Sequence, residues 1–417
     1  MVRQFVLLQF LINMKSKIVN IPLEKRNCDV CNSKKLESLY KYDKYVCNSE
    51  SANLYLFKVD NVICCNYGFT FISPRFDSNI LIDYYSKSLR TPLDQTYDYD
   101  INFRMEIINK FTKPNPSKGK PKFIELGPST FGEFQNRISE SFDYFPIEPS
   151  IAFRSLGRKV VDIGEIKLAD IIAHYFCLEH IPRPLEFLEK CNSLLRIGGI
   201  MIIEVPNIEI YPIDPVALNL YEHQSHFSFG TLKHLANKAG FEHIESNKKS
   251  SRSFGILLVF KKIHELPIPS SYNFKEIPNE YEINKINFNL GLDQIKIFNN
   301  NLIQAKSFID KSEDSLVILW GANQNLIDFI QMFYLNLKIP DFLILIDSDR
   351  RKRNFLLNYD THFAKEVLIP SECIDLINKA SKLIIFSRRH EKAILDQINC
   401  LRSKNKSLDV LIVDINP

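Results

Sequence analysis

"IELGPSTFGEF", residues 124–134, follows the basic run KGKPK and reads as a strand end, a tight turn and a helix start. Gly127 permits the turn, and Gly132 lets the helix pack closely on the strand. Amides at such a helix start face a carboxylate or a phosphate, which makes this stretch a candidate cofactor loop of an α/β sheet. Such loops often carry three glycines; here Gly127 and Gly132 stand alone, and Pro128 removes one amide donor. By itself the spacing also suits an ordinary β-turn-α.

Downstream, the alternation continues. FDYFPIE is a second strand candidate, LADIIAHYF a third and GIMIIEVPN a fourth, reached through the helix RPLEFLEKCNSLLRIGG. FSFGTLKHLANKAG reads as a helix closed by Gly240 in a left-handed cap, and FGILLVFKK is the last strand. Short apolar runs between amphipathic helices predict a mainly parallel sheet with helices on both faces. Ligands of such sheets sit at the carboxyl ends of the strands. Glu125 ends the first strand. Glu148 ends the second, about 20 residues after the loop, where a carboxylate accepts both hydroxyls of a ribose.

A chain of 417 residues is long for one domain, and 45% hydrophobic content lets each of two or three domains bury its own core. After an N-terminal extension at 1–25, four regions are drawn. A Cys- and aromatic-rich module covers 26–95, the α/β domain 96–262, and a Pro- and polar-rich linker with a helix 263–313. A second, smaller α/β domain covers 314–417, with strands in SLVILWGAN, IPDFLILIDSD, SKLIIFS and LDVLIVDI. The net charge is +4, from 53 basic and 49 acidic residues. With no long block of one sign, nothing electrostatic points to a nucleic-acid or membrane-surface partner. The apolar run FVLLQFLI, residues 5–12, is too short to span a bilayer; no small-residue cleavage site follows it, and Met14 looks like a natural start. The expectation is a soluble cytoplasmic protein.

Five of the nine cysteines fall between Cys28 and Cys65, a clustering that favours metal over disulfides. Cys28 and Cys31 form one Cys-x-x-Cys knuckle. A second would use Cys64 and residue 67, but Tyr67 stands there. Cys65 or Cys47 is left to complete a four-ligand Zn2+ site; the other reading is a metal-free module held by its aromatic core.

Taken together, the strand with Glu125-x-Gly127, the strand ending Glu148-Pro-Ser, LEHI at 178–181, LLRIGG at 194–199 and EVPN at 204–207 resemble class I S-adenosylmethionine-dependent methyltransferases. The segment YEHQSHFSFGTLKHLANKAGFE is similar to one found in the sugar C-methyltransferase branch. CDVCNSKKLESLY with VICCNYGFTFISPR resembles that branch's N-terminal zinc module, and VILWGANQNLIDFIQ with ILIDSDRRKR its accessory Rossmann-like domain. The resemblance implies a Rossmann-like methyltransferase domain flanked by a small Cys-rich module and a smaller C-terminal α/β domain. It implies a nucleotide-linked sugar as substrate.

Carried over by position, the resemblance puts Glu125, Gly127, Ser129 and Gly132 at the methionine end of the cofactor, Glu148 on its ribose and Asp162 or Glu165 near its adenine. His180 would face the substrate, and His223 would be the base, supported by Glu222 and Tyr221. Methyl transfer to carbon needs a proton removed next to a carbonyl, and a histidine poised near neutral pH suits that task. The branch's tyrosine normally stands two residues before the glutamate; Leu220 occupies that place here, so carbon and oxygen both stand open as the acceptor atom. His174 and His226 read as structural. Lys352, Arg351 and SRRHE at 387–391 could meet a sugar diphosphate or form a solvated face. Two other readings stand beside the enzyme: a methyltransferase-like scaffold that lost its cofactor through GPSTFG, and a less favoured NAD-dependent sugar enzyme, which lacks a Gly-x-Gly-x-x-Gly.

Overall fold

The computed structural model describes residues 18–20, 23–47, 54–76, 98–112, 119–128, 133–148, 168–219, 223–247, 250, 252–267, 279–311, 315–334, 339–350, 353, 365–402 and 407–414. The chain divides into two compact units, Met1–Leu290 and Gly291–Pro417. That division falls inside a long helix rather than at residue 314.

Unit 1 opens with six strands: β1 (Ile18–Asn20), β2 (Leu23–Glu24), β3 (Leu36–Cys47), β4 (Leu54–Cys64), β5 (Thr70–Ile72) and β6 (Arg75–Phe76). Helix α1 (Asp98–Phe111) follows, then β7 (Lys122–Leu126), α2 (Glu133–Ser141), β8 (Asp143–Ile147) and β9 (Ala169–Tyr175). Next come α3 (Pro184–Leu194), β10 (Leu195–Pro206), β11 (Ser225–His226), α4 (Phe229–Lys238), β12 (Phe241–Asn247) and β13 (Gly255–Lys262). Helix α5 (Tyr281–Asp310) runs from one unit into the other.

The central sheet has six strands in the order β12-β13-β10-β9-β7-β8. β8, β7, β9 and β10 are parallel, while β13 and β12 close one edge as an antiparallel pair. The parallel strands are near-continuous apolar runs because both faces are covered. Alternation sends neighbouring residues to opposite sides. Ile124, Ile172, Met201 and Ile203 join a core with Leu188 of α3 and Leu232 and Leu235 of α4. Phe123, Ile171, Ile200 and Ile202 join another with Ile107 of α1 and Phe134 and Ile138 of α2. This is a three-layer, Rossmann-like fold. α3 stops at Leu194 rather than continuing to Gly199, because Leu195 already pairs with Ala169 across the sheet.

The Cys-rich module shares the first of these cores: Cys28, Val30, Val62, Cys64, Phe69 and Phe71 pack in the same cluster as Phe227, Phe241 and Phe260. Its sheet runs β1-β4-β5-β11, with β3 beside β4. The last strand comes from the middle of the methyltransferase-like segment: Ser225 pairs with Phe71 and His226 with Thr70. α4 begins at a capping box between Ser228 and Thr231.

Unit 2 carries β14 (Val317–Trp320), α6 (Gln324–Tyr334), β15 (Leu343–Ile346), α7 (Ile374–Lys379), β16 (Lys382–Ile385), α8 (Glu391–Leu401) and β17 (Asp409–Ile412). All four strands are parallel, in the order β15-β14-β16-β17. Among the described residues no helix is long and apolar enough to cross a membrane. The helical reading of SNILIDYYSKSLR at 78–90 lies outside the described residues.

Candidate active site

The cofactor half is built at the carboxyl ends of β7 and β8. Leu126 and Ile147 lie side by side in parallel register, and the Gly127 amide donates to the Ile147 carbonyl at 2.9 Å. Gly127 and Glu148 are therefore neighbours across two strand ends. Gly127 has φ +67, and a Cβ there would stand 3.0 Å from the Cys177 Sγ. Both the left-handed backbone and the crowding require glycine. Glu125 is buried and turned inward: its Oε2 accepts from Tyr144 Oη at 2.5 Å and Gln135 Nε2 at 3.3 Å. Burial pushes its carboxyl up, and the Tyr144 bond opposes that. Glu125 thus braces α2 and β8 behind the loop. Ser129, Gly132, Asp162 and Glu165 lie outside the described residues.

The acceptor half begins where β9 ends. Phe176 adopts φ +52, a costly conformation for an aromatic residue. The turn it makes leads through Cys177 into the short 3-10 segment Leu178–His180. The Gln224 amide donates to the Glu179 carbonyl at 2.6 Å, tying that segment to the strand of His226. As a result His180 and His223 meet, their rings 4.8 Å apart and edge-to-face. Glu179 joins them: its Oε1 is 3.9 Å from His180 Nε2, and ligand atoms of Glu179, His180 and His223 all fall within 4.8 Å of one another. Glu179 is 1% exposed and its Oε2 has no hydrogen-bond partner among the described residues. Burial pushes its carboxyl up to about 8. Glu179 is the residue that sequence reasoning missed, although LEHI contains it. Glu222 and Tyr221, expected to support His223, lie outside the described residues.

His226 is structural, as expected. Asn61 Oδ1 can only accept, so His226 Nε2 donates to it at 3.1 Å, and Nδ1 then accepts from Tyr211 Oη at 2.7 Å. His174 lies in β9, fully buried, with its ring edge-on to Phe187 at 5.5 Å. Burial lowers both imidazoles to about 3.

Three of the cysteines named from the sequence come together. Cys28, Cys31 and Cys64 bring their sulfurs within 4.8 Å of one another, with Cys31 and Cys64 at 3.5 Å. Two tight loops present them, one turned at Asn32 (φ 56) and one at Gly68 (φ 74). The Cys28 thiol and the backbone amides of Asn66 and Tyr67 hold Cys64 down to about 6 as a thiolate, while Cys28 itself is pushed up by that bond and by burial. Cys65 is outside the group, which corrects its expected place as a ligand: β4 ends at Cys64, and Cys65 stands in the turn that follows. Tyr67 stacks on His234 of α4 at 4.9 Å. The side chain of Cys47 lies outside the described residues.

In unit 2, the turn after β14 uses Gly321 at φ +108, and Asp347 Oδ2 accepts from the Ala322 amide at 2.8 Å. Asp414 likewise accepts from the Arg388 amide at 2.7 Å. These carboxylates latch the strand ends together. Arg351 and Lys352 lie outside the described residues.

Residues 88–246 match a family model described as a methyltransferase domain. That span is a methyltransferase domain, of the kind that uses S-adenosylmethionine. The matched span contains the Gly127 turn, Glu148, the Glu179–His180 segment and His223. Among solved structures it is similar to a Burkholderia thailandensis 1,6-didemethyltoxoflavin N1-methyltransferase with bound S-adenosylhomocysteine. That match has 11% identity, a TM-score of 0.33, and covers 49% of this chain and 96% of the other. The N-methyltransferase NodS from Bradyrhizobium japonicum is 12% identical, with a TM-score of 0.31, covering 43% and 96%. A methyltransferase from Mesorhizobium loti is 12% identical, with a TM-score of 0.30, covering 37% and 96%. No curated protein matches the chain.

Proposed function

We propose that this methyltransferase acts on a sugar, nucleotide-linked, at an acceptor position activated by His223. S-adenosylmethionine supplies the methyl group when bound. Gly127 and Glu148, adjacent at two strand ends, are the described residues that would hold it, with Glu125 bracing the loop from behind. A carboxylate at the end of the second strand suits ribose hydroxyls, and the left-handed Gly127 turns the chain beside it. The base reading assigns His223 the acceptor proton: the C–H bond would break with its electron pair left on the acceptor carbon, that pair would take the methyl as the cofactor's S–methyl bond breaks to leave S-adenosylhomocysteine, and the proton would stay on the imidazole until solvent takes it.

One observation carries the sugar reading. The strand next to His223 belongs to the Cys-rich module's own sheet, and buried Arg26 donates to the Gln224 carbonyl at 3.0 Å and to Ser225 Oγ at 3.1 Å. The module thus braces the backbone beside His223, and its likeness to the zinc module of the sugar C-methyltransferase branch is what supports the sugar reading. The cluster of Cys28, Cys31 and Cys64 fits three corners of a tetrahedral Zn2+ site, and we assign it a structural role in that positioning.

The test has two stages. Calorimetry should show S-adenosylhomocysteine binding. Turnover should then be seen with nucleoside-diphosphate sugars bearing a carbonyl beside the acceptor carbon, read as an added methyl by mass spectrometry. His223→Ala should bind S-adenosylhomocysteine normally yet lose turnover. Full activity in that variant would remove the base assignment, and no transfer to any sugar of the panel would remove the substrate class.

A further inference from the structure

Glu179, His180 and His223 are more than a base with neighbours. Two imidazoles and one carboxylate converge from two chain segments 43 positions apart, from residue 180 to residue 223. Their donor atoms lie within 4.8 Å of one another and the residues are buried or half-buried. The carboxylate is 1% exposed, and one of its oxygens has no hydrogen-bond partner among the described residues. An orphaned carboxylate oxygen inside a protein normally has a donor or a cation. Two histidines with one carboxylate is a ligand set for transition metals rather than for Mg2+ or Ca2+, which take oxygens alone.

We propose that Glu179, His180 and His223 bind one divalent transition-metal ion, Zn2+ foremost, and that its binding switches the acceptor base off. Around Zn2+ the ligand atoms sit roughly 3.4 Å apart, given bond lengths near 2.1 Å. The observed spread therefore closes by side-chain rotation, with the backbone already fixed by the Gln224–Glu179 bond. Bound metal takes the imidazole lone pair that would otherwise accept the acceptor's proton, so metal and proton compete for His223. The site itself stands on donor geometry; only the inhibitory consequence rests on the reading of His223 as base.

The experiment uses the full chain, stripped with a chelator and reloaded with Zn2+, with bound metal counted by mass spectrometry. The Cys28–Cys31–Cys64 group contributes equally to every protein compared, so the readout is a difference. Wild type should bind one equivalent more than Glu179→Gln and one more than His180→Ala. Excess Zn2+ should inhibit wild-type methyl transfer, and dilution to the one equivalent held by the cysteines should restore it. Glu179→Gln is close to isosteric, and an unchanged circular-dichroism melt would show that it folds. Equal metal counts in wild type and both variants would overturn the proposal and leave Glu179 as a proton-holding neighbour of His223. S-adenosylhomocysteine binding, measured in parallel, is expected in all three proteins, so failure of the metal site is distinguishable from failure of the methyltransferase reading.

Discussion

Acid should destabilise unit 1 through two buried histidines, and the size of the effect follows from their burial. Burial lowers His174 and His226 to about 3 in the folded chain. An unfolded imidazole titrates near 6.5. Below that value the unfolded state binds protons that the folded state refuses, so stability falls as pH falls, over the window from about 6.5 to about 3. Each histidine contributes a slope approaching about 1.4 kcal/mol per pH unit. Between pH 7 and pH 5 that amounts to about 2 kcal/mol for each. Protonating His226 also removes the acceptor for Tyr211 Oη; His174 has no hydrogen-bond partner for either ring nitrogen among the described residues.

Urea denaturation followed by far-ultraviolet circular dichroism at pH 7, 6 and 5 measures this in wild type and in His174→Leu. The variant should lose about 2 kcal/mol less than wild type across that range, because every other titrating group is common to both. The single tryptophan, Trp320, lies in unit 2. His174 lies in unit 1, so a Trp320 fluorescence transition local to unit 2 should not distinguish the two proteins. Identical pH dependence of wild type and His174→Leu would refute the reasoning.

Three further outcomes are expected. Gly127→Ala should weaken S-adenosylhomocysteine binding at least tenfold by calorimetry, because the new Cβ meets Cys177 Sγ; Gly119→Ala, also left-handed at φ +78 but with nothing within 4 Å, should leave binding unchanged. Lys262→Met should lower stability by about 2 kcal/mol in urea, since buried Lys262 Nζ donates to the Asn192 and Leu195 carbonyls at 2.8 Å at the end of α3. Cys31→Ser should reduce the zinc content of the purified chain, whereas Cys65→Ser should leave it unchanged, because Cys65 stands outside the sulfur cluster.

The sheet was legible because its signal is local. Runs such as KFIEL and ADIIAHY are mainly apolar on both alternating sides, which suits a strand covered on both faces. Gly240 marked the end of α4 correctly, with φ +86. What the sequence hid is long-range. GILLVFKK reads as one more strand, but its antiparallel pairing with β10 depends on where the preceding loop delivers it. Glu179 could be seen beside His180, yet nothing local says that residue 223 arrives there. Lys262 looks like a surface charge in a polar tail, and it is buried because α3 ends above it. Cys64 and Cys65 are identical letters, but Cys64 ends β4 and Cys65 begins the turn after it.

The same long-range contacts explain why a Cys-rich module belongs in the chain. Asp29 sits between Cys28 and Cys31 and pairs with the Arg26 guanidinium. Arg26 is buried, lies 4.6 Å over the Phe71 ring, and reaches the Gln224 carbonyl and Ser225 Oγ. The geometry of the first knuckle therefore fixes Asp29, Asp29 fixes Arg26, and Arg26 fixes the backbone that follows His223. Removing one partner of a buried charge pair typically costs 3–5 kcal/mol, because the other charge is left without compensation. Loss of the knuckle would thus reach His223 through position, with no change in the imidazole's own chemistry. On this argument the module's contribution is read in kcat with intact cofactor affinity, since Gly127 and Glu148 sit on strands that Arg26 does not touch.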